Sequence, residues 1–324
     1  MPLSRTKYIY RVIKPKFSFF SNMARFASGS LVDFDANLLH KDLVTDMVHH
    51  VSVAQERANV QLFVVPGSDL EDSTAALALA RDPEMGSRVV ATVGVHPYNS
   101  ERVAYEESSL DKLRALVLAG NTESGDGVCR AVGECGLDYT PGFPTAEFQL
   151  PWFRAQVSLA LEQQLPLFLH VRDAQEDFLS TLVELGFPEE GPPPVSAVVH
   201  CFTGTTDELH KYVRMGFYIG LTGYAIGVAN KKDADSEVED PLVMLKEWLR
   251  IIPLNRLVLE TDAPYMGFKG CRSTENKKKN QKYPNVPAAM KIICEHIATA
   301  SDRPYDDVAN STTENARRFF GLSI

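Results

Sequence analysis

From residue 31 onward, eight short apolar runs alternate with longer amphipathic stretches, and nothing else in this 324-residue chain restricts its fold as strongly. The runs cover residues 31–38, 60–68, 89–97, 129–139, 165–173, 195–202, 217–224 and 256–264. Most are apolar almost throughout, which is the pattern of strands buried on both faces. Between them lie stretches such as residues 41–58, 145–164 and 240–252, whose apolar residues recur at helical spacings of three and four. Repeated strand and helix units predict a parallel sheet covered by helices on its outside. Eight such units predict closure into a (β/α)8 TIM barrel, formed as a single domain over residues 31–324. Two extra helices are predicted after the last strand, over residues 287–300 and 304–321.

The polar residues interrupting this pattern fall where a barrel concentrates chemistry, at the C-terminal ends of its strands. They are Asp35 and Asn37, His96, Glu134 and Asp138, His170 and Arg172, His200, and Asp262. An open doubly wound sheet would spread these ends along a line, whereas a barrel gathers them at one mouth. Taken singly, each has an ordinary structural reading: a hydrogen-bonded histidine, half of an ion pair, or a turn cap. Together, unpaired acids and imidazoles converging on one mouth would be costly to bury without a cation. The pattern therefore predicts a hydrolytic metal centre.

Composition narrows the setting. The chain is 44% hydrophobic and 23% charged, and no apolar run approaches the roughly 18 residues of a spanning helix, so a soluble protein without membrane attachment is expected. Five cysteines with no CxxC pair fit reduced thiols in an intracellular compartment, cytoplasm or nucleus. Cys135 and Cys201, beside Glu134 and His200, read as small apolar filler. Residues 1–30 form a basic extension containing Arg5, Lys7, Arg11, Lys14, Lys16 and Arg25 and no acid. That is the composition of a mitochondrial transit peptide, with a disordered tail as the alternative.

Taking those six positive charges from the net charge of −9 leaves −15 for the rest, which argues against general affinity for nucleic acid. Any polyanion must be gripped locally, and Lys269, Arg272, Lys277, Lys278, Lys279 and Lys282 supply a basic cluster just after the eighth run. Lys277, Lys278 and Lys279 are the candidate phosphate contacts within it. A solvated loop is the plainer reading of the same charges. No obligate protein partner is evident.

Five segments, GVHPY (94–98), GECGLDY (133–139), LHVRDA (169–174), HCFTGT (200–205) and ETDAPY (260–265), resemble the signature blocks of the TatD family of metal-dependent deoxyribonucleases, in the family's order. TTENARRFFG (312–321) is similar to the family's last helix. The resemblance implies a TIM barrel with two divalent ions that hydrolyses DNA phosphodiesters, as a 3′–5′ exonuclease with endonuclease action as a further expectation. It implies Glu134 as the carboxylate bridging the ions, His170 and His200 as ligands completing one of them, and Asp262 as ligand to the other and handler of the attacking water's proton. It implies His96 and Arg172 as phosphate contacts. One block departs: where many members carry HxH, this chain has Asp35 and Asn37. An all-oxygen site of Asp35, Asn37, Glu134 and Asp262 suits magnesium or manganese, whereas Glu134, His170 and His200 could also hold zinc. Two alternatives stay open on sequence alone: an amide or ester hydrolase using the same centre, and a binding protein without catalysis.

Overall fold

The computed structural model describes residues 28–121, 127–227, 242–272 and 283–322. Eight parallel strands follow one another around a single sheet: β1 Leu31–Asp33, β2 Val60–Val65, β3 Val89–Val93, β4 Cys129–Asp138, β5 Leu167–Arg172, β6 Ala197–Val199, β7 Tyr218–Leu221 and β8 Leu257–Leu259. Backbone bonds from Phe34 to Leu259 and from Asp262 to Asp35 join the last strand to the first, so the sheet closes as a (β/α)8 barrel. The eight predicted runs each contain one strand, but most ladders stop several residues short of the run. Beyond β1, β3, β6 and β8 the chain leaves the ladder and turns across the mouth, carrying Asp35, His96, His200 and Asp262 with it. Glu134 and His170 instead lie within β4 and β5. Glu134 sits where the pairing of these two strands shifts register between Val132 and Cys135, a bulge that re-aims a side chain.

Two apolar layers hold the barrel. Outside it, strands pack against helices including Met47–Ala58, Leu70–Ala80 and Ala146–Gln163. Inside it, Val32, Phe34, Leu62, Val64, Val90, Phe168, Val198 and Val258 form a separate cluster that includes Phe319 and Phe320. These last two come from the C-terminal end of the predicted final helix, observed as Tyr305–Phe319. Phe34 meets Phe320 and Phe319 with ring centroids 4.6 and 5.2 Å apart, so the last helix plugs the end of the barrel opposite the mouth. Each such buried aromatic is worth roughly 1.5–3 kcal/mol in transfer from water.

The 1–30 extension lies outside the described residues up to position 27. Ser28–Ser30 are tied to the barrel, with the Gly29 amide donating to Asn310 Oδ1 at 2.9 Å and Thr313 Oγ1 donating to the Ser30 carbonyl at 2.7 Å. Lys277, Lys278, Lys279 and Lys282 also lie outside the described residues. Among the described residues, no helix is long and apolar enough to cross a membrane.

Candidate metal centre

Glu134 is the hub of the mouth. Its Oε1 lies 2.6 Å from His200 Nε2, 3.1 Å from His170 Nδ1 and 3.2 Å from His96 Nε2. His170 Nδ1 and His200 Nε2 are themselves 3.4 Å apart. Donors about 2.0–2.2 Å from one tetrahedral ion sit roughly 3.4 Å from each other. Glu134, His170 and His200 therefore fit one ion after a small outward movement of the carboxylate.

His96 also lies close enough to join such a cluster with Glu134 and His170. Its hydrogen bonds argue otherwise. The backbone amide of Tyr98 donates to His96 Nδ1 at 3.0 Å, which leaves the proton of the neutral ring on Nε2, facing Glu134. His96 therefore offers the mouth a hydrogen-bond donor and not a lone pair. Burial lowers its pKa against the pull of Glu134, which favours this neutral form.

Each of the other imidazoles has an aspartate behind it. Asp138 Oδ2 lies 2.9 Å from His170 Nε2, the arrangement that fixes a metal-binding tautomer by directing the opposite nitrogen forward. Asp138 is itself held in place. Its Oδ1 accepts from the Thr140 amide, and its backbone N–H and C=O are both bonded by Gln149, at 2.7 and 2.6 Å. One helical face further on, Gln156 clasps both backbone groups of Val95, just before His96, at 2.7 and 3.0 Å. Two buried glutamines seven apart on helix Ala146–Gln163 thus set the heights of two mouth residues. Behind His200, Asp35 Oδ2 stands 3.2 Å from Nδ1, yet neither atom makes an aligned hydrogen bond.

The carboxylates on the β8 side are poorly compensated. Asn37 presents its amide nitrogen to Asp262 Oδ1 at 2.9 Å and to Asp35 Oδ1 at 3.4 Å, so in this geometry it is a donor bracing two acids. Sequence reasoning passed over Glu260, which read as part of an apolar strand. It is fully buried, accepts a hydrogen bond from the Cys201 amide, and leaves Oε2 without a partner. Its room comes from β7, since a Cβ on Gly220 would stand 2.5 Å from Glu260 Oε1. A glycine is similarly needed at Gly136, where φ is +149° and a Cβ would meet the His170 carbonyl. Asp262 itself adopts φ +51°, a conformation uncommon outside glycine and found at functional sites.

The electrostatics split along the same line. Burial raises the Glu134 pKa, but His200, His96 and His170 outweigh it and hold the carboxylate well below its usual range. Burial lowers the His170 and His200 pKa values, but Asp138 and Glu134 raise His170 overall, and Glu134 and Asp35 raise His200 well above an ordinary histidine. Across the mouth, burial pushes Asp35 up to about 6 and Glu260 up to about 8, with Asp35 adding to the rise at Glu260. Asp262 is raised well above normal by burial and then by Asp35. Three buried acids side by side, with Asp35 Oδ2 and Glu260 Oε2 making no hydrogen bond, form a setting of the kind a divalent cation satisfies. Cys135 and Cys201 are pushed upward by burial, so both remain thiols, and all five cysteines are free. Arg172 is exposed at the end of β5, at the rim.

A closed (β/α)8 barrel whose mouth gathers acids and imidazoles in this way defines the class of metal-dependent hydrolases. The family profile described as TatD related DNase matches residues 32–321, and this chain belongs to that family. The protein named 3′-5′ ssDNA/RNA exonuclease TatD from Enterobacter lignolyticus is 34% identical over 295 residues, spanning 91% of this chain and all of the relative. The fold is shared with a TatD homologue from Escherichia coli K12 at 23% identity and TM-score 0.72, covering 91% of this chain and 99% of that one. It is shared equally with an uncharacterised amidohydrolase from Saccharomyces cerevisiae at 22% identity and TM-score 0.73, covering 90% and 99%.

Proposed function

We propose that this protein hydrolyses phosphodiester bonds in DNA, from the 3′ end of single strands, with two divalent ions held at the barrel mouth. The observation carrying this reading is Glu134, whose one oxygen is shared by three imidazoles on one side while the buried acids Asp35, Glu260 and Asp262 crowd the other. Glu134, His170 and His200 would hold one ion, and Glu134, Asp35 and Asp262 the other. Asn37 braces the second set through hydrogen bonds. Imidazole nitrogen suits manganese or zinc at the first position, and oxygen donors suit magnesium or manganese at the second. When bound, a pair of divalent ions neutralises charge on the phosphodiester and activates the attacking water.

The chain's own groups do the rest. Asn37 donates to Asp262 Oδ1 and so orients this carboxylate, which would accept the proton of the attacking water. Without an ion, burial and the neighbouring Asp35 raise the proton affinity of Asp262 above that of an ordinary aspartate. His96 Nε2–H, released from Glu134 once that carboxylate is engaged, donates to a non-bridging phosphate oxygen. Arg172 at the rim meets a neighbouring phosphate, and Lys277, Lys278 and Lys279 extend this grip along the strand. The test is one set of incubations, with and without EDTA, offering single-stranded DNA, duplex DNA, a nitrophenyl phosphodiester and a nitrophenyl ester. EDTA-sensitive release of nucleotides from single strands is expected. Hydrolysis of the ester alone would turn the reading to carboxylic ester chemistry, and inertness toward all four would remove catalysis.

A further inference from the structure

Tyr98 is 62% exposed, the largest exposure among the large apolar and aromatic side chains of the described residues. An exposed apolar residue standing alone needs no explanation. Tyr98 is not alone, and it is not loosely held. It occupies the short turn Pro97–Asn99 immediately after His96, its amide bonded to His96 Nδ1. The turn is pinned by Asn99 Nδ2, which donates to the Ser68 carbonyl at 2.9 Å. The ring meets Phe143, from the segment after β4, edge to face, with centroids 5.5 Å apart and planes at 77°. Phe143 in turn lies 6.2 Å from the His96 ring, and His96 lies 4.6 Å from His170. Aromatic rings thus run without a break from open solvent to the candidate metal centre. Packing against Phe143 holds the Tyr98 ring at one side while most of the side chain stays open to solvent.

We propose that Tyr98, backed by Phe143, is a stacking ledge for one unpaired nucleobase of the strand being hydrolysed. This rests on the nuclease reading above and adds a reason for preferring single strands. A base can lie on Tyr98 only when it is free of a partner strand, and the stacked base sets its phosphate in front of the His96 Nε2–H. Base stacking on an aromatic side chain is worth about 1–3 kcal/mol and tolerates any base, because every base has a π face. The ledge therefore gives affinity and strandedness without sequence preference.

The test compares wild type, Tyr98→Ala and Tyr98→Trp on a short single-stranded oligothymidylate and on versions carrying one abasic residue at successive positions near the 3′ end. Tyr98→Ala should raise KM about tenfold while kcat holds, and Tyr98→Trp should keep KM near wild type. One abasic position should cost wild type a similar factor and cost Tyr98→Ala almost nothing further, because the lost contact is the same one. Thermal melting of each variant controls for folding. An active wild type with unchanged KM in Tyr98→Ala, or equal losses in both proteins at every abasic position, overturns the ledge and leaves the nuclease reading standing. A wild type that cleaves no oligonucleotide with magnesium or manganese overturns both.

Discussion

The two sides of the mouth carry similar groups in opposite conditions. On the β4 to β6 side, Glu134, His170 and His200 compensate one another, with the carboxylate lowered and the imidazoles raised. That side has ion pairs and hydrogen bonds among its own groups. On the β8 to β1 side, Asp35, Glu260 and Asp262 are all raised, and Asp35 Oδ2 and Glu260 Oε2 make no hydrogen bond. That side is complete only with protons or a cation. The difference shows how one carboxylate, Glu134, can join a preorganised half-site to one that depends on what it binds.

The change that should damage both sides is Glu134→Gln, which removes the shared charge. Turnover should fall by about a thousandfold, and bound metal measured by elemental analysis should drop for both ions. Retention of two ions per chain would show that the sides do not share Glu134. Next in size is Asp262→Asn, which alters one side only. About a hundredfold loss of kcat is expected, with one ion still bound by the imidazole side and an unchanged circular dichroism spectrum. Activity near wild type would end the role of Asp262 as proton acceptor.

Asp138→Asn probes the preorganised side without touching an ion. Calorimetric metal affinity should weaken by about 10–100-fold, and the His170 ring-nitrogen resonances should report a mixed tautomer. An unaltered tautomer would show that Asp138 does not orient the ring.

The smallest effect is on the stability of metal-free protein. Asp35, Glu260, Asp262, His170 and His200 all bind protons more tightly folded than unfolded, so their contribution is full at low pH and lost as pH rises through their folded values, about 6 for Asp35 and about 8 for Glu260. Glu134 runs the other way, its contribution present above its ordinary value and lost below it. The EDTA-treated protein should melt highest near pH 5, roughly between these limits, and lower toward pH 8, with manganese restoring more at pH 8. A flat Tm between those limits would contradict the contrast between the two sides.

The alternation of apolar runs and amphipathic stretches was enough to read the barrel, because strands buried on both faces and their covering helices impose different periodicities. Most residues of the mouth were visible for the same reason: a charged group at the end of an apolar run is conspicuous. Glu260 was not, since it lies inside the run and its space is made by Gly220 on a neighbouring strand, a relation no local pattern carries. The donor role of Asn37 depends on Asp262, distant in sequence, and sequence alone leaves its amide free to face either way. The preference of His96 for donating follows from a backbone amide two residues on, which becomes legible only once the turn is formed.

The plug formed by Phe319 and Phe320 against Phe34 also governs when the protein can become itself. The first strand and the last helix are the two ends of the described barrel, and Phe34, just after the first strand, packs on Phe319 and Phe320 at the end of the last helix as well as on Phe168. A chain on the ribosome that still lacks this helix leaves the inside of its barrel uncapped. Removing the last turn of this helix should therefore act less like trimming a tail than like interrupting translation, yielding a chain that has every mouth residue and no finished barrel to hold them.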